Sequence, residues 1–154
     1  MTDITEGAPT PALDLPTDGG GRFILAGQGR PVAIYFYPKA DTPGCTTESQ
    51  DFSALIDDFT AAGAVVVGIS RDPVKKLDRF KAKHDLKVVL GSDEDGVVTE
   101  AWGVWVEKTL YGRKYMGVER ATFLIDAQGL VRRAWRNVKV KGHAEEVLRA
   151  VQAL

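Results

Sequence analysis

The sequence predicts an α/β fold in which a mixed β-sheet is flanked by helices on both faces. Apolar strand-like segments alternate with helical segments over the first two thirds of the chain, which is typical of parallel strands covered on both faces. A strand, a turn and a second strand over residues 121–135 predict an added antiparallel hairpin. The 154 residues show no linker, repeat or shift in composition, so we expect one domain spanning residues 1–154.

Each element is predicted from its local pattern. Glycine, proline and aspartate indicate loops at the start of the chain, with a short hairpin around residues 23–25. β-Branched, aromatic and other apolar runs predict strands over residues 32–37, 64–70, 88–90, 121–125 and 130–135. Apolar residues at helical spacing predict helices over residues 43–63, 92–102 and 143–154, and a further helix opening at Asp72-Pro73. Residues 103–118 give no readable pattern.

Composition and charge limit the classes of partner. The chain has 20 Lys+Arg and 21 Asp+Glu, and a net charge of −1 gives no long-range attraction to nucleic acid or to an anionic membrane. The first twenty residues contain acidic residues but no Lys or Arg, unlike a secretory signal. Apolar runs stay far short of the ~20 residues of a membrane span. We therefore expect a cytoplasmic protein without a nucleic-acid or membrane partner.

The single cysteine, Cys45, stands where a helix is predicted to begin. Pro43 disfavours helical backbone at Thr42, which suits Thr42 to the N-cap and Pro43 to the first helical position. Cys45 is then the third helical residue, where unpaired N–H groups and the helix dipole favour a nucleophilic thiolate. Gly44 would let a substrate approach the backbone closely. The alternative is a cysteine that merely replaces a weak capping residue.

Several motifs agree with one known family. Pro38, Thr42 and Cys45 form a Pro-x-x-x-Thr-x-x-Cys pattern that resembles the active-site signature of the peroxiredoxins. The wider segment over residues 37–48 is similar to the Q-type branch, and the match continues over residues 67–73 and 119–126. The resemblance spans nearly the whole chain and implies a thioredoxin fold.

The resemblance also implies roles for individual residues. Cys45 would be the peroxidatic residue, Thr42 would orient the peroxide, and Pro38 would shield the sulfur from water. Arg120 would stabilise the thiolate and the departing oxygen. Glu48 is placed to orient an arginine, although a solvated helix carboxylate is an equally good interpretation. We expect the site to be open to a small oxidant, and we expect no metal, flavin or other cofactor.

One departure from the family bears on the reaction cycle. Many Q-type members carry a resolving cysteine five residues after the peroxidatic one, and here that position is Gln50. With one cysteine, an internal disulfide is impossible. The expected partners are therefore a peroxide substrate and an external thiol: thioredoxin, glutaredoxin or glutathione. We expect a monomer or weak homodimer. The alternatives are a redox sensor or relay acting through Cys45 and, third, a cysteine-dependent acyl hydrolase.

Other side chains are weighed against simpler interpretations. His84 and His143 lie near predicted helix ends and are interpreted as structural or solvated rather than as bases or metal ligands. Residues 92–96 do not match a calcium-binding loop and are interpreted as an acidic helix start. Trp102 is expected to pack in the core.

Overall fold

The computed structural model describes residues 4–154. Its strands in chain order are β1 (Asp14–Pro16), β2 (Arg22–Ile24), β3 (Val32–Phe36), β4 (Val65–Ser70), β5 (Val89–Ser92), β6 (Trp105–Leu110), β7 (Arg113–Val118), β8 (Ala121–Ile125) and β9 (Val131–Trp135). Its helices are α1 (Pro43–Ala54), α2 (Ile56–Ala61), α3 (Val74–His84), α4 (Val97–Ala101) and α5 (His143–Gln152), with a 3-10 turn at Asp18–Gly20.

A five-stranded mixed sheet forms the centre of the described chain, in the order β5-β4-β3-β8-β9. β3 is parallel to β4, which is parallel to β5, whereas β8 is antiparallel to β3 and β9 is antiparallel to β8. This arrangement confirms the predicted mixed sheet. Because the parallel strands end on the same edge, the loops after β3 and β4 are neighbours, and a site is expected there in such folds.

The sheet separates two apolar cores. Side chains alternate along β3, so Tyr35 packs on one side and Phe36 on the other. Helices α1, α2, α3 and α5 cover the Tyr35 side. The Phe36 side is covered by α4 and the β1–β2 hairpin and contains Trp102, which is fully buried as predicted. None of the helices in the described residues is long and apolar enough to cross a membrane.

Two predicted helices differ from the structure. The helix expected over residues 43–63 is divided at Leu55, whose N–H bonds to the carbonyl of Phe52 rather than continuing the α-helical pattern. Phe52 and Phe59 are nevertheless both buried, so the apolar stripe predicted the core face correctly. The helix expected from residue 92 begins only at Val97, because Ser92 pairs with β4 and a turn follows it.

The segment without a readable pattern forms a separate antiparallel hairpin, β6–β7. Its two-residue turn consists of Tyr111 and Gly112, with φ angles of 51° and 78°, the conformation that lets two twisted strands join tightly. Trp105 and Val118 pair at its base. Most of its other residues are exposed, and this is why apolar alternation did not predict it.

Candidate active site

The loop that follows β3 is held in place by hydrogen bonding to a buried aspartate, Asp72. Asp72 Oδ2 accepts hydrogen bonds from the Ala40 N–H and from Ser70 Oγ, both at 2.7 Å. Pro38 lies at the start of this loop and is half-buried. Ser70 and Asp72, at the end of a buried strand, are the only sequence pattern that could have indicated this contact. Sequence reasoning did not predict that Asp72 holds the loop.

The start of α1 has the geometry that its sequence predicts. Thr42 is the N-cap, with extended φ and ψ of −94° and 156°, and Pro43 is the first helical residue. The Thr42 carbonyl accepts the N–H of Thr46 at 2.8 Å, whereas Thr42 Oγ1 donates to the Lys39 carbonyl at 2.8 Å. The threonine side chain therefore leaves the N–H groups of the first helical turn uncapped.

The sulfur of Cys45 is covered and lies against a guanidinium. Cys45 is only 1% exposed, so the expectation of a sulfur open to oxidant is not met in this conformation. Arg120 Nη2 donates a hydrogen bond to Cys45 Sγ at 3.4 Å. Arg120 enters from the connection between β7 and β8, and its side chain keeps 17% exposure. The sulfur is thus covered partly by a polar group that itself reaches solvent.

Glu48 lies one helical turn beyond Cys45 and binds the same guanidinium. Arg120 Nη1 donates to Glu48 Oε1 at 2.5 Å, and Glu48 is 1% exposed, so the interpretation as a solvated carboxylate is wrong. Burial raises the pKa of Glu48 to about 7 in spite of the nearby Arg120 charge. Burial disfavours the Arg120 charge, but Glu48 and Cys45 outweigh it and raise the pKa of Arg120.

Gly44 forms the exposed edge of the site. A Cβ added at Gly44 would lie 3.2 Å from Arg120 Nη2, the atom that bonds to the sulfur of Cys45. The absence of a side chain here keeps space beside the guanidinium. A small molecule could therefore reach Arg120 and Cys45 across Gly44 if the guanidinium shifted only slightly.

Aromatic side chains form the inner wall behind the cysteine. Tyr35 stacks on Phe52 with ring centroids 4.6 Å apart, and its hydroxyl is hydrogen-bonded to Ser49 Oγ at 2.8 Å. Both rings belong to the same buried cluster as Cys45. The hydroxyl of Tyr37, in that cluster, has no hydrogen-bond partner within residues 4–154. Sequence reasoning assigned Tyr35 and Tyr37 to a strand and Phe52 to a helix, without predicting that they would pack in one cluster with Cys45.

The two histidines are structural, as expected. His84 ends α3, and its Nε2 lies 2.8 Å from Asp41 Oδ1 in the loop before α1. His143 begins α5, is buried, and its Nε2 is hydrogen-bonded to Thr122 Oγ1 at 2.7 Å. Each imidazole is therefore committed to a structural contact and not to Cys45. Within residues 4–154 no cluster of His, Cys, Asp and Glu is arranged to hold a metal ion.

Comparison with curated proteins places this geometry in a family. The AhpC/TSA family model matches residues 7–134. Peroxiredoxin Bcp of Xanthomonas campestris is 47% identical, over 99% of this chain and 98% of the relative. Peroxiredoxin Bcp of Bacillus subtilis is 42% identical, over 97% of this chain and 96% of the relative.

Solved structures give the same result. Bacterioferritin comigratory protein of Xanthomonas campestris has a TM-score of 0.86 and 48% identity, covering 92% of this chain and 90% of its own. The peroxiredoxin Q of Xylella fastidiosa has a TM-score of 0.93 and 38% identity, covering 99% and 98%. These neighbours confirm the thioredoxin fold and the activity of a thiol-dependent peroxidase. The chain belongs to the AhpC/TSA family and, within it, to the Q-type peroxiredoxins.

Proposed function

We propose that Cys45 is the residue that reduces the peroxide. Its thiolate attacks one peroxide oxygen, the S–O bond forms as the O–O bond breaks, and the departing oxygen takes a proton to leave as water or an alcohol. The sulfur becomes a sulfenic acid. The observation that carries this proposal is the Arg120 N–H aimed at Cys45 Sγ at the start of a helix.

The surrounding residues have separate roles in this proposal. Arg120 supports the thiolate and then the negative charge that grows on the departing oxygen, as a positioned donor does. Thr42 orients the peroxide beside the uncapped amides of the first turn of α1. Pro38 limits access of water to the sulfur, and Glu48 holds the guanidinium in place. The burial of Cys45 means that the peroxide enters through a small opening or a local movement near Gly44.

The sulfenic acid of Cys45 is then reduced by an external thiol. The chain has one cysteine, whereas cysteine-to-serine mutants at two different positions are known for the peroxiredoxin Q of Xanthomonas campestris. Thioredoxin, glutaredoxin or glutathione would act as the reductant in the cytoplasm, with the protein as a monomer or weak homodimer. Substrates would include hydrogen peroxide and small organic hydroperoxides, since alkyl peroxide reduction is described for the Xanthomonas relative.

A coupled assay tests the proposal. Peroxide consumption is measured with the thioredoxin, glutaredoxin and glutathione systems in turn, using the wild type and Cys45→Ser. We expect many turnovers for the wild type with at least one system and none for Cys45→Ser. Full activity in Cys45→Ser would remove Cys45 from its role. A single turnover with every reductant, ending in a disulfide to a partner protein, would instead support a redox relay.

A further inference from the structure

A groove lies between the start of α1 and the start of α5, beside the reactive cysteine. Its volume is about 570 Å³, within the range of pockets that hold small molecules. Gly44, Thr47 and Asp51 form the α1 wall, since residues three and four positions apart share one face of a helix. Lys141 and Glu145 belong to the α5 wall. The groove is therefore large enough for a second substrate and lies next to the proposed site of reaction.

One end of the groove leads to the sulfur of Cys45. Gly44 lines the groove, and a Cβ placed there would lie 3.2 Å from Arg120 Nη2, which donates to Cys45 Sγ at 3.4 Å. Asp51 lies two helical turns beyond Gly44, which is about 10 Å along the axis of α1. A tripeptide in extended form covers a similar length, at about 3.5 Å per residue. A ligand of that size can place a sulfur at Gly44 and a charged end at Asp51.

Charges of both signs line the groove, and the described chain leaves them unpaired. Within residues 4–154, Asp51, Lys141 and Glu145 each lie outside salt-bridge distance of an opposite charge. Burial and the Glu145 charge both raise the pKa of Asp51, so an ammonium group placed between the two carboxylates would relieve their repulsion. The groove is thus complementary to a ligand that carries an ammonium beside a carboxylate.

We propose that this groove binds the external reductant, and that the reductant is a low-molecular-weight thiol with an amino-acid end, of the glutathione class. The inference rests on the proposed function of Cys45 and adds the class of the reducing substrate. The ammonium of the amino-acid end lies between Asp51 and Glu145, and its carboxylate lies near Lys141. A thiol without the ammonium lacks the first of these attractions and binds less well.

The reduction consumes two molecules of the thiol. The first thiolate attacks the sulfenic sulfur of Cys45, the S–S bond forms as the S–O bond breaks, and the oxygen takes a proton and leaves as water. A second thiolate attacks the reductant's sulfur in this mixed disulfide, so that Cys45 departs as a thiolate and the reductant as its symmetrical disulfide. Binding in the groove accelerates the first step, because it holds the attacking thiol beside Gly44.

A matched pair of thiols tests the proposal. Glutathione and its derivative acetylated on the γ-glutamyl amine share one thiol and differ in a single ammonium charge remote from it. Cys45 is first oxidised with one equivalent of hydrogen peroxide, and mass spectrometry verifies the sulfenic acid. The rate constant for its reduction by each thiol is then measured for the wild type, Asp51→Asn, Glu145→Gln and the double variant. Asp57→Asn is the matched control, since Asp57 is an exposed aspartate of α2 outside the groove.

We expect Asp51→Asn and Glu145→Gln each to lower the ratio of the glutathione rate to the acetylated-glutathione rate about two- to fivefold, and the double variant about tenfold, with smaller differences at high salt. Asp57→Asn should keep the wild-type ratio. A wild-type ratio near one, an unchanged ratio in the double variant, or reduction by thioredoxin but not by glutathione would overturn the inference and leave Cys45 in its role. Failure of the wild type to form a sulfenic acid would instead overturn the proposed function.

Discussion

Two regions of the molecule reach Arg120, and they are held by different kinds of contact. At the start of α1, Cys45 and Glu48 are both buried and share one guanidinium. Each of the three groups depends on the others, because a buried charge is costly unless it is paired. Reactivity and stability are therefore coupled in this region.

The β6–β7 hairpin is held mainly at its base. The Arg71 guanidinium lies 3.4 Å from the centre of the Trp105 ring, and Arg71 Nε donates to Thr99 Oγ1 at 2.8 Å. The tip is open, with Tyr111 96% exposed. Substitutions in the hairpin can therefore change stability or charge without touching the reacting sulfur, and the comparison predicts effects that separate the two regions.

The largest effect is expected at Arg120. Arg120→Met removes the donor to Cys45 and leaves Glu48 buried without its partner. Turnover should fall about 100-fold or more, and the free energy of unfolding should fall by about 3 kcal/mol. Peroxidase assays and urea denaturation measure both. Arg113→Met, at the exposed end of the hairpin, is the control and should change neither quantity.

A double variant separates the two consequences. Adding Glu48→Gln to Arg120→Met should restore part of the stability, because no buried charge is then left unpaired, but it should not restore turnover. Equal recovery of both quantities would contradict the separate roles given to Arg120 and Glu48.

The next effect is a pH dependence of stability from Glu48. Its pKa rises from 4.5 to about 7 on folding, so the folded chain holds this proton more tightly than the unfolded chain. Stability should therefore decline as pH rises from about 4.5 to about 7, by up to about 3 kcal/mol.

His143 has the opposite effect on the pH dependence of stability. Burial lowers the pKa of His143, so its contribution to stability is lost as pH falls. Subtracting the urea-denaturation profile of Glu48→Gln isolates Glu48, and superimposable profiles would refute the prediction.

A smaller effect is expected at the base of the hairpin. Arg71→Met removes the stacking on Trp105 and the hydrogen bond to Thr99, and it should lower stability by about 1–3 kcal/mol. Amide hydrogen exchange should increase in β6 and β7 more than in α1. If Arg71→Met increased the exchange rate equally in β6, β7 and α1, the hairpin would not be stabilised independently of the rest of the fold.

The smallest effects come from a pair of glycines. Gly44→Ala places a Cβ against Arg120 and should lower the rate of peroxide reduction a few-fold, with stability kept within about 1 kcal/mol. Gly112→Ala, at a φ of 78° in the hairpin turn, should cost about 1 kcal/mol and leave the rate unchanged. A lower rate of peroxide reduction in Gly112→Ala would contradict this prediction. An unchanged rate in Gly44→Ala would contradict it as well.

The sequence predicted the parts of the site that depend on neighbouring residues. Pro43 restricts Thr42 directly, so the start of α1 and the position of Cys45 followed from local backbone rules. The environment of Glu48 could not be predicted in this way. Its partner Arg120 lies 72 residues away, and a helix carboxylate looks solvated until the fold brings that partner to it.

The fold shows the same division. The central strands were predicted because they are buried on both faces, and β3 is buried at every residue. The β6–β7 hairpin is largely exposed and has no such pattern. The helix predicted from residue 92 started late because Ser92 pairs with Ser70 of β4, a long-range contact that outweighs local helix preference.

The most direct test of the account compares Cys45 in the folded and unfolded chain. The rate constant for its oxidation by hydrogen peroxide is measured by trapping the sulfenic acid, first in buffer and then in a denaturing concentration of urea. Although the thiol is 1% exposed, we predict oxidation at least about 100-fold faster in the folded protein, because Arg120 and the start of α1 act on the sulfur only there. Faster oxidation in the unfolded chain, as for a buried structural cysteine, would contradict the account.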